Sequence, residues 1–442
     1  MIMNNSEGLA RSLKAVWHPC TQMKAHETGA LPLIPINRGQ GAWLYDFEGR
    51  RYLDAISSWW VNLFGHAHPR INAAIKDQLD RLEHVILAGF THAPVLELSE
   101  RLSALTHKTL GHCFYASDGS SAVEIALKMS FHYWRNYGRP EKNQFLCLAG
   151  SYHGETLGTL GVGDVALYRQ AYGPLLRPAI IVPSPDARLA EYGETAADAA
   201  QRAADGLERV LAAHHATIAA LIVEPLVQGA GGMVMYDPDY LQLACALCDR
   251  YNVHLIADEI MVGFGRTGTL FAHEQAEIRP DFLCLSKGLT GGYLPLSTVL
   301  TTDVVYAAFY DDALSRGFLH SHSYTGNPLA CRAALATLDI FAEENVIARN
   351  RQFAERFTRL LAPLAEHRQA RHFRHCGMIW AVDIATHDPE FRLRFYREAL
   401  QREILLRPLG TTIYFMPPYI LNDAEAELLA ERAVEALDAA LA

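Results

Sequence analysis

The chain has 442 residues, with 39 basic and 49 acidic side chains, a net charge of −10, and half of its residues hydrophobic. This length exceeds the roughly 250–300 residues at which a single hydrophobic core stops growing, so more than one domain is expected. The composition excludes a disordered chain, the acidic balance argues against a nucleic-acid partner, and no apolar run is long enough to span a bilayer.

The opening segment, MIMNNSEGLARSLKAVW, lacks the apolar stretch of a secretory signal, so a cytoplasmic location is expected. LYDFEGRRYLDA then reads as two extended runs about a Glu48-Gly49 turn. SSWWVNLFGHAHP comes next, with Trp59 and Trp60 expected on opposite faces of an extended stretch. Within it, His66 and His68 have no evident third ligand, and no H-E-x-x-H occurs, so no metal centre is expected. Helical patterns cover about 69–86 and 94–106. From 112 onward, short apolar runs (HCFYA, QFLCLA, AIIV, IAALIV, VHLIA, FLCLS and STVL) alternate with helical stretches. Runs apolar on both faces are what strands of a largely parallel sheet look like when helices cover both sides, so the fold class is α/β. After Asn327-Pro328 a long helix is expected, followed by alternating helices and short strands. An arm and hairpin over 1–65 is expected to pack with a small α+β domain over 331–442, flanking a large domain over 66–330. The eight cysteines are scattered and form no disulfide framework. Cys245 and Cys248 sit in a helical pattern and read as core residues one turn apart.

Two glycine-rich loops invite a phosphate. Gly263-Phe-Gly265-Arg-Thr-Gly268 matches G-x-G-x-x-G, with Asp281 near the spacing of a ribose-binding acid. Asp258 and Glu259 separate that loop from its strand, and Pro280 leaves little room for a helix before the next strand, which speaks against a dinucleotide site. Ser117-Asp118-Gly119-Ser120-Ser121 follows a strand and opens a helix, with Ser121 and Glu124 at capping-box spacing. It fits a phosphate on the helix N-terminus, or equally a well-capped surface helix.

Two charges end apolar strands: Asp258 after VHLIA and Lys287 after FLCLS. Ligands of open α/β sheets bind beyond the carboxyl ends of the strands. Either residue alone reads as a surface charge. Together they fit an aldehyde cofactor: a lysine to form a Schiff base, and a carboxylate to favour a protonated pyridine nitrogen. Tyr152-His153-Gly154 at another strand end offers an aromatic face, and Glu224 completes the rim.

The ordered set YDFEGRRYLD, GHAHP, DGSSAVEIALKM, SYHGET, LIVEP, LIADEIMVGFGRTG, LSKGLTGG and SYTGNPLA resembles the class-III aminotransferases, pyridoxal-phosphate enzymes of fold type I. VWHPCTQM, SSWW, EPLVQGAGGM and RPLGTTIYFMPPYI resemble the branch that aminates 8-amino-7-oxononanoate in biotin synthesis by ping-pong transamination, and this match spans nearly the whole chain. The resemblance implies that Lys287 carries the cofactor and moves protons, that Asp258 meets the pyridine nitrogen, and that Tyr152 lies against the ring. It implies Gly119 and Ser120 at the phosphate, with Ser323 joining them from the second subunit of a homodimer. For substrates it implies Trp59, Trp60, Arg407, Tyr414, Ser321 and Arg266, with Arg407 on the keto-acid carboxylate. Cys20 stands where relatives carry a tyrosine, which leaves the amino donor open between S-adenosylmethionine and lysine. An ω-amino acid aminotransferase, a nicotinamide dehydrogenase and a non-catalytic binding protein are the rival readings.

Overall fold

A computed structural model describes residues 4–442, so the first three residues of the opening segment lie outside it. The chain forms two compact units, one of Ala73–Ile347 and one of Met1–Asn72 with Ala348–Ala442.

The first unit is built on seven strands: β1 (His112–Ala116), β2 (Gln144–Leu148), β3 (Ile180–Val182), β4 (Ile218–Val223), β5 (His254–Asp258), β6 (Phe282–Leu285) and β7 (Ser297–Thr301). These are the seven apolar runs read from the sequence. They form one sheet in the order β1-β7-β6-β5-β4-β2-β3, parallel except for β7, which runs antiparallel to both β1 and β6. All residues of β4, β5, β6 and β7 are buried, because helices cover both faces.

The longest helices of this unit are α1 (Ala93–Leu105), α2 (Gly119–Asn136), α3 (Ala196–His214), α4 (Asp239–Tyr251) and α5 (Pro328–Glu343). From α2, Val123, Ala126 and Met129 pack in one cluster with Ile222, Ile256, Phe282 and Val299 of the sheet. Asn327 caps α5 through the Ala330 N–H, and Pro328 opens it, as the sequence leads one to expect. The helix read over 69–86 ends at Leu79, where the Gln78 side chain turns back to donate to the Leu82 carbonyl. Cys245 and Cys248 lie on α4, and burial raises both thiols, Cys245 to about 11, so neither is poised as a thiolate.

In the second unit, Trp43–Asp46 and Arg51–Asp54 form the expected hairpin, its turn held by Asp46 accepting from the Glu48 and Arg50 N–H groups. Ile36–Gln40 extends this sheet on one side, and Ile404–Leu405 joins the other, parallel to Arg51–Asp54. A second sheet pairs Ala370–Cys376, Ile379–Ile384 and Thr412–Phe415 antiparallel, over a core of Phe353, Phe357, Trp380 and Phe415. Among the described residues, no helix is long and apolar enough to cross a membrane.

The segment SSWW departs from expectation. It is no extended strand: Ser57, Ser58, Trp59 and Trp60 all have positive φ, 51°, 45°, 73° and 72°. Four consecutive non-glycine residues in the left-handed region are costly, at about 1–3 kcal/mol each. Side chains hold the turn together. Asp54 accepts from the Ser58 N–H at 2.9 Å and the Ser58 hydroxyl at 2.6 Å, and the Ser57 hydroxyl donates to the Met416 carbonyl. The turn, and not strand alternation, buries Trp60 and leaves Trp59 exposed.

Candidate active site

The carboxyl ends of β2, β4, β5 and β6 bring together Tyr152, His153, Glu224, Asp258 and Lys287. β5 lies between β4 and β6, with Ala257 opposite Val223 and Asp258 opposite Cys284, so Glu224, Asp258 and Lys287 all emerge at one edge.

Asp258 is buried. Its Oδ1 accepts from the Ile260 N–H at 3.1 Å and its Oδ2 lies 2.7 Å from His153 Nδ1. A carboxylate only accepts, so the proton of that bond sits on Nδ1, and His153 Nε2 is left buried without a partner. Glu224 is buried as well. Its two oxygens accept from the Tyr152 N–H at 2.9 Å and the Gly229 N–H at 2.8 Å, so one carboxylate ties together the loops after β2 and β4. Burial pushes Glu224 up to about 7 against the opposing pull of His153. Lys287 follows β6 with φ 44°, an unfavourable left-handed backbone for a lysine. Burial lowers its amine to about 8, opposed by the Asp258 and Glu224 carboxylates. An amine with that value exchanges protons near neutral pH, as a nucleophile or proton carrier must.

At the N-terminus of α2 the cap is Asp118, which accepts from the Ser121 N–H and hydroxyl. The capping box read from Ser121 and Glu124 does not form, because the aspartate one turn earlier outcompetes the serine. Glu124 instead accepts from the Thr156 hydroxyl and the Gly158 N–H. Gly119 and Ser120 thus occupy the first turn, where backbone N–H groups favour an anion. Two glycines keep the cradle open. A Cβ on Gly119 would meet Ile260 at 2.9 Å, and one on Gly154, at φ 127°, would lie 2.1 Å from Ser120 Oγ.

The decoy loop behaves as read. Residues 263–268 form turns closed by Gly265 N–H to the Leu270 carbonyl, and no α-helix intervenes before β6. Asp281 is spent on the Leu255 N–H. Arg266 is buried in this loop, whereas Ser321 and Ser323 lie exposed between β7 and α5. In the other unit, Trp60 Nε1 donates to the Tyr414 hydroxyl at 3.1 Å, and the Arg407 guanidinium lies 5.6 Å from the Trp59 ring centre. Cys20 is exposed, at φ 51°. His66 is engaged by Asp54 at 3.0 Å. Among the described residues, no group of three or more His, Cys, Asp or Glu side chains is placed to hold a metal.

The bond from His153 to Asp258 and the double use of Glu224 are not legible in the sequence. The one available signal is position: both residues follow apolar strands at the ligand-binding edge. Their partners lie 105 and 72 positions away, which no local pattern reports.

Pyridoxal phosphate, implied by the resemblance, fits these residues: an anion cradle that added Cβ atoms would fill, a buried carboxylate with a fixed orientation, and an amine of lowered basicity. Comparison with known proteins agrees. The family model described as aminotransferase class-III matches residues 23–437. The adenosylmethionine-8-amino-7-oxononanoate aminotransferase of Helicobacter pylori is 48% identical over 99% of both chains. The crystal structure of the enzyme of that name from Methanocaldococcus jannaschii superposes with a TM-score of 0.91 at 34% identity, covering 97% of this chain and 98% of that one. An amine transaminase from an uncultivated Pseudomonas species, in its PLP-bound form, gives 0.89 at 33% identity over 96% and 98%. The chain therefore belongs to the class-III aminotransferase family, with its fold.

Proposed function

We propose that this chain transfers an amino group to 8-amino-7-oxononanoate, making 7,8-diaminononanoate for biotin synthesis, with S-adenosylmethionine as donor. The observation that carries this reading is the 48% identity to the Helicobacter pylori enzyme over nearly the full length of both chains. Bound pyridoxal phosphate supplies a heterocycle that stabilises the electron pair released when a substrate C–H bond breaks. Lys287 holds the cofactor through its amine and carries the proton between carbon atoms. Asp258 orients toward the pyridine nitrogen, its own position set by His153 and the Ile260 N–H. Tyr152 presents its ring as a stacking wall. Its hydroxyl is directed to Glu155 at 3.0 Å and its backbone is tethered to Glu224. Gly119 and Ser120 hold the phosphate.

On the substrate side, Arg407 pairs with the keto-acid carboxylate, a task suited to a planar guanidinium. Trp59, Trp60 and Tyr414 form aromatic walls, and Cys20, Ser321 and Arg266 border the two substrates. A homodimer completes each site with Ser323 of a second copy. This is supported by the exposure of Ser323 among the exposed apolar side chains of Tyr310, Leu314, Leu319 and Tyr324. The enzyme works in the cytoplasm on small molecules.

The test is an assay of purified protein with 8-amino-7-oxononanoate and either S-adenosylmethionine or lysine, reading 7,8-diaminononanoate by mass spectrometry. Product with S-adenosylmethionine is expected. Product with lysine alone keeps the acceptor and moves the donor, and turnover of ω-amino acids alone overturns the proposal.

A further inference from the structure

The segment 318–327, between β7 and α5, carries Ser321 and Ser323, both exposed. The Ser323 hydroxyl makes no hydrogen bond among the described residues. The backbone on either side of it, by contrast, is braced by side chains from two helices. Before it, the Lys128 ammonium on α2 lies 2.8 Å from His320 Nδ1. An ammonium only donates, so this Nδ1 accepts, and the ring's proton sits on Nε2, which reaches His322 Nε2 at 3.1 Å. The Thr325 hydroxyl then closes on His322, accepting from its N–H at 3.1 Å and donating to its carbonyl at 2.8 Å. After it, His92 Nε2 lies 2.8 Å from the Gly326 carbonyl. His92 is the N-cap of α1 and its Nδ1 accepts from the Val95 N–H, so Nε2 bears the proton and donates. Burial lowers the proton affinity of both His92 and His320, and Lys128 adds to this at His320, so each ring keeps its accepting nitrogen. Surface loops are ordinarily left loose, and such bracing has a use where an exposed hydroxyl must be held in a fixed place for a ligand.

We propose that His92, Lys128 and His320 are positioning residues for the site of the second copy, holding Ser323 where its hydroxyl meets the phosphate of the cofactor bound there. The proposal rests on the reading that Ser323 serves that site. It gives α2 two duties. Its N-terminus holds the phosphate of its own chain's cofactor through Gly119 and Ser120, and Lys128, further along the same helix, steadies the loop lent to the other copy.

The test compares, by equilibrium dialysis of the full chain, the affinity for pyridoxal phosphate with that for pyridoxal, which lacks the phosphate. His92→Asn keeps an acceptor for the Val95 N–H, and with it the helix cap, but is too short to reach Gly326. Lys128→Met keeps the aliphatic stem and removes the donor. Each is expected to weaken binding of pyridoxal phosphate about three- to tenfold, the range of one lost hydrogen bond, and to leave pyridoxal unchanged. Neither should add to the loss already present in a Ser323→Ala chain, because all act through one contact. Lys128→Arg, which still donates, should bind as the wild type does. A loss shared equally by both compounds, or one that adds to that of Ser323→Ala, marks a merely structural role and overturns the proposal. In co-expressed mixed dimers, His92→Asn paired with Lys287→Ala should show more activity per Lys287-bearing chain than His92→Asn alone, since both defects then fall in one site. Equal activity overturns action on the second copy. Failure of the parent reading shows separately, as a Ser323→Ala chain that binds pyridoxal phosphate as tightly as the wild type.

Discussion

Lys287 concentrates the chemistry of the molecule in one side chain. Removing its amine, as in Lys287→Ala, should leave the fold intact, measured by circular dichroism. Turnover should fall by at least about 10³-fold, within the range ascribed to a positioned proton carrier. Its amine titrates near 8 because burial disfavours the cation. Only the neutral amine attacks an aldehyde, so cofactor-free protein should take up pyridoxal phosphate faster as pH rises, with a midpoint near 8 in a stopped-flow absorbance titration. A midpoint near the 10.5 of a free lysine would deny that the side chain is buried as described. His254 shows the same physics at a structural position. Burial, with Lys142 nearby, lowers it from 6.5 to about 3, and Ser130 meets its Nδ1 at 2.9 Å. The unfolded chain binds a proton there between those two values while the folded chain does not, so stability present above pH 6.5 is lost as pH falls toward 3. Replacing His254 by Phe should flatten that part of the acid-denaturation curve, followed by guanidinium midpoints at pH 4 and pH 7.

Between elements, single side chains act as joints. The Lys142 ammonium, fully buried, donates to the carbonyls of His215, Ile218 and Asn252, which ties the end of α3 and the start of β4 to the left-handed cap of α4. Lys142→Met strands three acceptors. Since each buried unpaired acceptor costs about 1–3 kcal/mol, a loss of at least about 2 kcal/mol is expected by chemical denaturation. Gly154 joins the α2 cradle to the Tyr152 loop. Gly154→Ala sets a methyl against Ser120 Oγ and strains the backbone, so equilibrium dialysis should show at least about tenfold weaker retention of pyridoxal phosphate. Such joints are hard to read from sequence, whereas the strands themselves are plain. IAALIV and VHLIA announce themselves because burial on both faces demands unbroken apolar runs, and Asp258 and Lys287 stand out as charges that interrupt them. The SSWW turn is hidden because its geometry depends on the Asp54 carboxylate and on the carbonyl of Met416, far along the chain. The helix cap is ambiguous for a different reason. Two acceptors of similar strength, Asp118 and Ser121, stand three residues apart, and pattern alone does not rank them.

At the scale of the whole molecule, the proposed dimer makes a prediction that neither chain alone allows. Sedimentation equilibrium should give twice the chain mass. If Ser323 serves the site of the other copy, the two defects in a mixed dimer of Lys287→Ala and Ser323→Ala chains fall in the same site. The remaining site is intact, so the mixture should show more activity per Lys287-bearing chain than Ser323→Ala alone. Equal activity would place Ser323 in the site of its own chain.

The unit made of the two chain ends has a consequence for synthesis on the ribosome. The strand Arg51–Asp54 takes its parallel neighbour, Ile404–Leu405, from a part of the message read much later. At about 5–20 residues per second, the stretch 73–347 takes about 15–55 s to emerge. Throughout that interval the hairpin presents an unpaired edge and an uncovered apolar face to its surroundings. The newborn chain therefore completes its seven-stranded half while its leading segment still waits for a mate, which makes that segment the natural place for a holding chaperone to grip.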